Sequence, residues 1–491
     1  MTTTTNPRSF TDLPSDILFV VFLSVSVSDI LALKQTCRVL HTLGSSDYLW
    51  HQILKSIDLP LDIPHSLDPC ELPGPEIQAI VVRALRLEDN WKRPTSLITK
   101  YAPIIYGDTN NAVVDGMELL REDGGLSLLW CLKDVDDIYR AASFDIFAHY
   151  KRFAVALQKG NSRATLAITT DDAHQGVLQI YDIPLIDRSE SDFVHHSTPQ
   201  LRRIVQRPLK ARGIIHEVSI HEDVVAAMFV DLNADFPGHS YQILLVNARS
   251  GVQILLHPKF EEPFLRLSIK LCYDHIALVG GLFKEVIVRI FQLPPTLTCR
   301  LDVAQSSGRG PSFEKGGNVI EDMGECTEHI IEHIPNVPDF FISDGLNGAP
   351  ESLPESLSFL FFTPLIDDRR PNVGELVRLS LDTNREQDSC TRKRLFPVPK
   401  ACSVKLVCVG STGRRAIWIE QNWDSDRFRL MKAHFPNGET ESFTVNVLIP
   451  PNPSLPFSPE MCSTLAFDEA TGRLCVGLIT GDLWLLDFNR W

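Results

Sequence analysis

The chain has 491 residues, a formal net charge of −15 and 44% hydrophobic against 22% charged residues. Such an acidic balance excludes broad binding to nucleic acid or anionic membrane, leaving room only for local basic patches, and the apolar fraction excludes wholesale disorder. The eleven cysteines are scattered, odd in number and never spaced C-x-x-C, which suggests reduced thiols in a cytoplasmic or nuclear protein rather than a disulfide framework.

Residues 1–9, MTTTTNPRS, lack the basic start and apolar core of a secretory leader and are expected to be disordered. The first patterned stretch is LPSDILFVVFLSVSVSDILAL, residues 13–33. Its uncharged run from Ile17 to Val27 is too short for a bilayer, which needs about 20 apolar residues. A helix suits it better, with Pro14 at a first helical position and Asp16 where negative charge favours the helix dipole. Apolar residues from Ile17 to Leu23 fall on nearly every side, so this helix is expected to be covered all round. Ser28 is expected to cap a second helix, Asp29–Leu43, ended by Gly44, before a short third turn with Leu49 and Trp50. Three short helices cannot cover so much apolar surface alone, so part of it is expected to meet another protein or the next domain.

Leu13-Pro14, Asp16-Ile17-Leu18, Phe22-Leu23, Asp29-Ile30-Leu31-Ala32-Leu33, Thr36-Cys37-Arg38-Val39-Leu40 and Leu49-Trp50 together resemble an F-box over residues 10–54. The resemblance implies docking on the Skp-type adaptor of a cullin–RING ubiquitin ligase. Carried over position by position, the adaptor contacts would be Leu13, Pro14, Ile17, Leu18, Phe22, Leu31, Cys37, Leu40 and Trp50. Burying roughly half a dozen such side chains at ~1.5–3 kcal/mol each gives on the order of 10 kcal/mol, less the cost of association. The competing reading is a helical cap packed on its own chain. Ser26-Val27-Ser28 departs from the family, which usually has a proline or similar residue before the acid.

Residues 55–96 are expected to connect two domains. SIDLPLDIPHSLDPCELPGPE holds five prolines and no helical period, so it reads as an extended strap. PEIQAIVVRALRLEDNW then sets Ile77, Ile80, Val81, Ala84, Leu85 and Trp91 along one helical face with charges opposite, between Pro75 and Pro94.

From about residue 97 to 491 the period is two. SYQILLVNARSGVQILLHP reads strand, turn, strand; YDHIALVGGLFKEVIVRIFQLP gives two strands; TLAFDEATGRLCVGLITGDLWLLDF gives three. Similar pairs span Ala164–Ile183, Ser403–Glu420 and Arg427–Val447. Short strands, frequent turns and no long helix mean a sandwich, barrel or propeller. A recurring strand, D/N-x-x-x-G turn, strand, tight turn and strand ending in an acid (Asp182, Asp487) resembles a degenerate WD-type repeat of about 40–45 residues per blade. The G-H dipeptide is missing, and Trp423-Asp424 falls in a hairpin turn. The expected fold is therefore a three-helix F-box followed by a degenerate β-propeller, expected to have seven blades. A strand near Ile104–Tyr106 is expected to close the ring and remove exposed sheet edges.

Residues 301–356, rich in Gly, Pro and Ser, fit no blade and read as a flexible insertion. Within it CTEHIIEH sets Cys326, His329, Glu332 and His333 in an H-x-x-E-H order, the inverted zinc-protease pattern. That pattern needs a long helix, and Pro335 and Pro338 follow at once, so a solvated strand or turn is the preferred reading. Basic residues cluster at Arg202, Arg203, Arg207, Lys210 and Arg212, and again at Arg392-Lys393-Arg394; the first cluster is a possible client site for an acidic or phosphorylated peptide. An exposed charged loop is the plainer alternative, and His195-His196 reads as solvated. No nucleotide-binding or nucleophile-elbow motif occurs, so no catalysis, metal or cofactor is expected. The reading is a substrate receptor whose F-box docks on the adaptor and whose propeller binds a client protein, with no nucleic acid or membrane partner. The alternative is a propeller scaffold that delivers no client.

Overall fold

Four helices, not three, fold residues 15–56: α1 (Ser15–Ser24), α2 (Val27–Lys34), α3 (Arg38–Gly44) and α4 (Asp47–Ser56). The structure, a computed structural model, describes residues 10–489 except 64–67, 106–112, 123–124, 134–149, 159–162, 171–176, 185–198, 232–239, 259–263, 265, 272–274, 283–284, 299–319, 322, 332–338, 344–355, 363–371, 381–391, 399–401, 437–441 and 449–453. The helix expected over Asp29–Leu43 breaks because the chain tightens after α2: the Gln35 and Thr36 amides bond to Ala32 O and Leu33 O, each at 3.1 Å. Cys37 is then fully extended, and α3 starts afresh. Ser26, rather than Ser28, caps α2, its Oγ accepting the Asp29 amide at 3.2 Å. Trp50 belongs to α4, where its Nε1 donates to Gly44 O at 2.9 Å and ties α4 to the end of α3.

The helix α5 (Gly74–Lys92) is one rod of about 28 Å at ~1.5 Å per residue. Its first half, Ile77 and Val81, lies in the same core as Phe22, Ile30, Leu40, Leu49 and Trp50. Its second half, Leu87 and Trp91, lies in a different core with Ile417, Leu474, Leu486 and Phe488. A single helix is thus built into both halves of the molecule.

Beyond it comes β1 (Lys100–Ile105), then a two-stranded ladder of β2 (Val113–Glu122) and β3 (Gly125–Lys133). Antiparallel meanders follow in chain order. The first is β4 (Tyr150–Leu157), β5 (Arg163–Thr170), β6 (Leu178–Pro184) and β7 (Gln200–Val205). The second is β8 (Ile214–His221), β9 (Val224–Asp231), β10 (Ser240–Asn247) and β11 (Gln253–Leu256). Two residues, β15 (Ile320–Glu321), extend the second in parallel. The third is β12 (Arg266–Leu271), β13 (His275–Gly281), β14 (Val286–Gln292) and β16 (Cys326–Ile331). The fourth is β17 (Asp339–Ile342), β18 (Ser356–Phe362), β19 (Asn372–Ser380) and β20 (Arg392–Val398). The fifth is β21 (Cys402–Val409), β22 (Arg415–Asn422), β23 (Arg427–His434) and β24 (Thr444–Val447). The sixth is β25 (Cys462–Asp468), β26 (Arg473–Leu478) and β27 (Leu483–Asp487), completed by β1, which pairs antiparallel with β27 from Lys100↔Asp487 onward.

Among the described residues the fold is therefore a β-propeller of six blades, not the expected seven, with the β2–β3 ladder set between the closing blade and the first meander. Apolar cores fill the gaps between adjacent blades. Part of the expected insertion is blade: Cys326–Ile331 and Asp339–Ile342 are ladder strands, while residues 301–319 lie outside the described residues, as do residues 1–9. Each meander is entered at its inner strand. Neighbouring inner strands run parallel: Ser268 Oγ bonds Glu217 and the Leu271 amide bonds Ser219, both partners advancing together. The propeller consequently has two unlike faces, an entry face where inner strands begin and a turn face where they end.

Candidate functional site

The outer side of α1 is the first candidate. Ile17, Val20 and Leu23 recur at three-residue steps, with Leu13 just before the helix, so they share one side. They are 46%, 61%, 43% and, for Leu13, 41% exposed. Leu18 and Phe22 on the opposite side are 1% and 0% exposed. The helix is not covered all round by its own chain; one apolar side is finished and the other is open. Exposed Val39 and Tyr48 stand on α3 and α4 of the same module.

The nine residues expected to touch an adaptor divide accordingly. Leu13, Pro14, Ile17 and Cys37 are exposed, and Leu31 is half-buried against the core. Phe22, Leu40 and Trp50 are enclosed in the module's own core and Leu18 is buried, so all four shape the helices behind the outer side. Val20 and Leu23 were not among the expected contacts, although their spacing from Ile17 marks them.

The second site is the socket that receives α5. Glu88, 3% exposed, accepts from Arg414 Nη2 at 2.9 Å and Arg415 Nη2 at 2.7 Å, and its Oε1 lies 2.6 Å from His434 Nε2. Burial alone would raise the Glu88 carboxyl, but the His434 hydrogen bond and the Arg415, His434 and Arg414 charges outweigh it and hold the group well below the ordinary carboxylate range. Arg414 also reaches Asp58 in the strap at 3.2 Å. Trp91 Nε1 donates to Ala433 O at 2.8 Å, and Lys432 Nζ donates to Trp91 O at 2.7 Å, to Arg93 O and to Ser96 Oγ, closing the helix C-terminus. Burial pushes the Lys432 ammonium down to about 8. Leu87 sits on the β25–β26 turn at Gly472 (φ +68), where a Cβ would meet Leu87 Cδ1 at 2.5 Å. All these contacts lie on the turn face.

The basic cluster expected to form one client site is split between the two faces. Arg202 pairs with Asp182 at 3.2 Å and Asp223 at 3.3 Å, and Arg203 donates to Ala248 O at 3.3 Å; both point toward the turn face. Arg207, Lys210 and Arg212 stand on the β7–β8 connection, at the entry face. The H-x-x-E-H order loses its helical premise: Cys326–Ile331 is a strand with His329 opposite Val288 and Glu328 paired with Arg289 at 2.6 Å. Glu332, His333 and His195-His196 lie outside the described residues. In the second basic run Arg394 is half-buried on β20. Among the described residues no group of three His, Cys, Asp or Glu could hold a metal ion, and no helix is long and apolar enough to cross a membrane.

The chain sets a small helical module with one open apolar side ahead of a β-propeller. Residues 10–56 match the F-box-like family model. The chain is similar to a structure described as "Crystal Structure of Mitotic Checkpoint Complex", at 10% identity and a TM-score of 0.36, over 81% of this chain and 95% of that one. It is also similar to the β-propeller domain of the Trilobed protease from Pyrococcus furiosus, at 9% identity and a TM-score of 0.33, over 67% and 79%. No curated protein sequence matches the chain.

Proposed function

We propose that this protein is the substrate-recognition subunit of a Skp–cullin–F-box type ubiquitin ligase, acting in the cytoplasm or nucleus. The observation that carries the reading is the unfinished apolar side of α1 on an F-box-like module, fixed by α5 to a propeller. The F-box engages the Skp-type adaptor through Leu13, Ile17, Val20 and Leu23, and the propeller holds the client. The protein does no bond chemistry; its contribution to catalysis is proximity, turning a bimolecular transfer into one within a complex. A rigid α5 serves that role, because a client held at fixed reach from the ligase keeps its lysines in range.

Co-purification with a Skp-type adaptor tests the docking. Ile17→Asp/Val20→Asp is expected to weaken adaptor binding by at least about tenfold, ~1.4 kcal/mol, with thermal stability unchanged because both side chains are exposed. Undiminished recovery of the double variant would sink the docking. Receptor and scaffold then separate by quantitative proteomics of cells lacking this chain: a client that binds the propeller accumulates for a receptor and stays level for a scaffold.

A further inference from the structure

The β7–β8 connection, residues 206–213, is held unusually firmly for an exposed loop. The Arg207 guanidinium lies 5.3 Å over the Phe229 ring, donates to Ala211 O at 3.2 Å and also bonds Gly213 O. Gln242 clamps the far side, accepting the Arg212 amide at 2.8 Å and donating to Lys210 O at 3.3 Å. Gly213 (φ +83) lies so close to β9 that a Cβ would meet Val230 O at 2.0 Å. What this frame presents is Leu209, 91% exposed, with exposed Lys210 and Arg212 beside it and Ile214, 59% exposed, at the start of β8.

The same face gathers further positive charge. Arg152 is exposed near the start of β4, His216 is exposed near the start of β8, and Arg266, at the start of β12, lies 4.8 Å over the Phe340 ring. Burial lowers the His216 imidazole; Glu217 opposes this, and the Arg152 and Arg266 charges add to it. His216 is also the residue at the register shift of β8, where a bulge re-aims a side chain at a sheet rim. Among the described residues two acids stand near the patch. The Glu217 carboxylate is taken by Ser268 Oγ at 2.8 Å and the Ile269 amide at 3.1 Å, and half-buried Asp231 already has a partner.

We propose that this entry-face patch binds an acidic peptide segment with an apolar anchor residue, Leu209 and Ile214 meeting the anchor and Lys210, Arg212 and Arg152 its carboxylates. The inference rests on the receptor reading for the peptide being a client's; its chemistry follows from the side chains of the patch. A rigid apolar knob rimmed by cations, on a chain of net charge −15, selects a short acidic stretch over a polyanion, which the remaining field repels. Aliphatic rather than aromatic contacts offer no stacking platform for bases. The patch lies opposite the face that receives α5, so a bound segment leaves the F-box unobstructed.

Fluorescence anisotropy of the full chain tests this, with a fluorescein-labelled peptide of glutamates flanking a Leu-Phe pair, its Gln-for-Glu counterpart, and a labelled single-stranded oligonucleotide. The acidic peptide is expected to bind more tightly than the other two, with an affinity that falls as salt rises. Leu209→Ser/Lys210→Glu is expected to weaken it about tenfold or more, while Arg202→Gln, on the turn face, leaves it unchanged. Equal binding by wild type and the Leu209/Lys210 variant, tighter binding of the oligonucleotide, or no peptide binding at all would overturn the proposal. The assay contains no adaptor. Peptide failure with intact adaptor recovery defeats this inference alone, and lost adaptor recovery with intact peptide binding defeats only the receptor reading.

Discussion

The two halves of α5 are seated by opposite physics. Toward the F-box, Ile77 and Val81 enter an aliphatic core with Phe22, Leu49 and Trp50, and such packing tolerates small shifts of one element on another. Toward the propeller, Glu88 meets two guanidiniums and an imidazole while Lys432 closes the helix end. A buried charge set is satisfied in one arrangement only, because a displaced helix leaves uncompensated charge in a low dielectric. Apolar burial supplies stability; the charged socket supplies a fixed angle between the F-box and the propeller.

Breaking the socket is the severest test. Glu88→Ala is expected to cost about 3–5 kcal/mol, since two arginines lose their buried partner, measured by chemical denaturation of the full chain. Its second signature is faster proteolysis of the strap at residues 57–63, because Arg414 loses its anchor beside Asp58. Trp91→Ala is expected to cost a similar ~3–5 kcal/mol, chiefly through lost volume, with a smaller part from Arg415 and Lys432, each 5.9 Å over its ring. On the aliphatic half, Ile77→Ala is expected to cost about 2–5 kcal/mol, insensitive to salt and pH.

Acid sharpens the contrast. The folded Glu88 carboxyl titrates below its ordinary value of 4.5, so the unfolded chain takes up the proton first. The stability it confers is complete above that value and is lost as pH falls through and below it. The difference in midpoint between wild type and Glu88→Gln is therefore expected to be constant near neutrality and to shrink under acid, while that for Ile77→Ala stays flat. The smallest effect belongs to the surface pair Arg83–Asp62, at 3.2 Å and about one-third exposed: Asp62→Asn is expected to cost under ~1 kcal/mol, and a larger loss would show that the strap is more strongly coupled than its exposure implies.

Much of this was readable in the residues. The F-box pattern stood out because it is local: each contact that defines it lies within a few helical turns. The break between α2 and α3 was hidden, since Leu33, Cys37 and Leu40 keep helical spacing across it. The strands of the propeller followed from alternation, and the closing strand from its position near Ile104. Blade count did not follow, because pairing partners such as β14 and β16 are separated by a long unpatterned stretch. Glu88 was missed although a signal existed. Ile77, Val81, Ala84, Glu88 and Trp91 follow one stripe, and an acid on an apolar stripe announces a buried cation. Which cation was beyond reach, since Arg415 lies 327 residues away.

The pairing of β1 with β27 joins Lys100 to Asp487, near opposite ends of the chain, and Arg414, Arg415 and His434 also emerge late from the ribosome. At ~5–20 residues per second, synthesis leaves the ring open for on the order of tens of seconds after the F-box helices have appeared. During that interval the oily side of α1 is on display while the helix meant to aim it has no seat. Under the receptor reading proposed above, a nascent chain in this state would profit from early capture by an adaptor, which makes assembly a step that accompanies translation rather than one that waits for it.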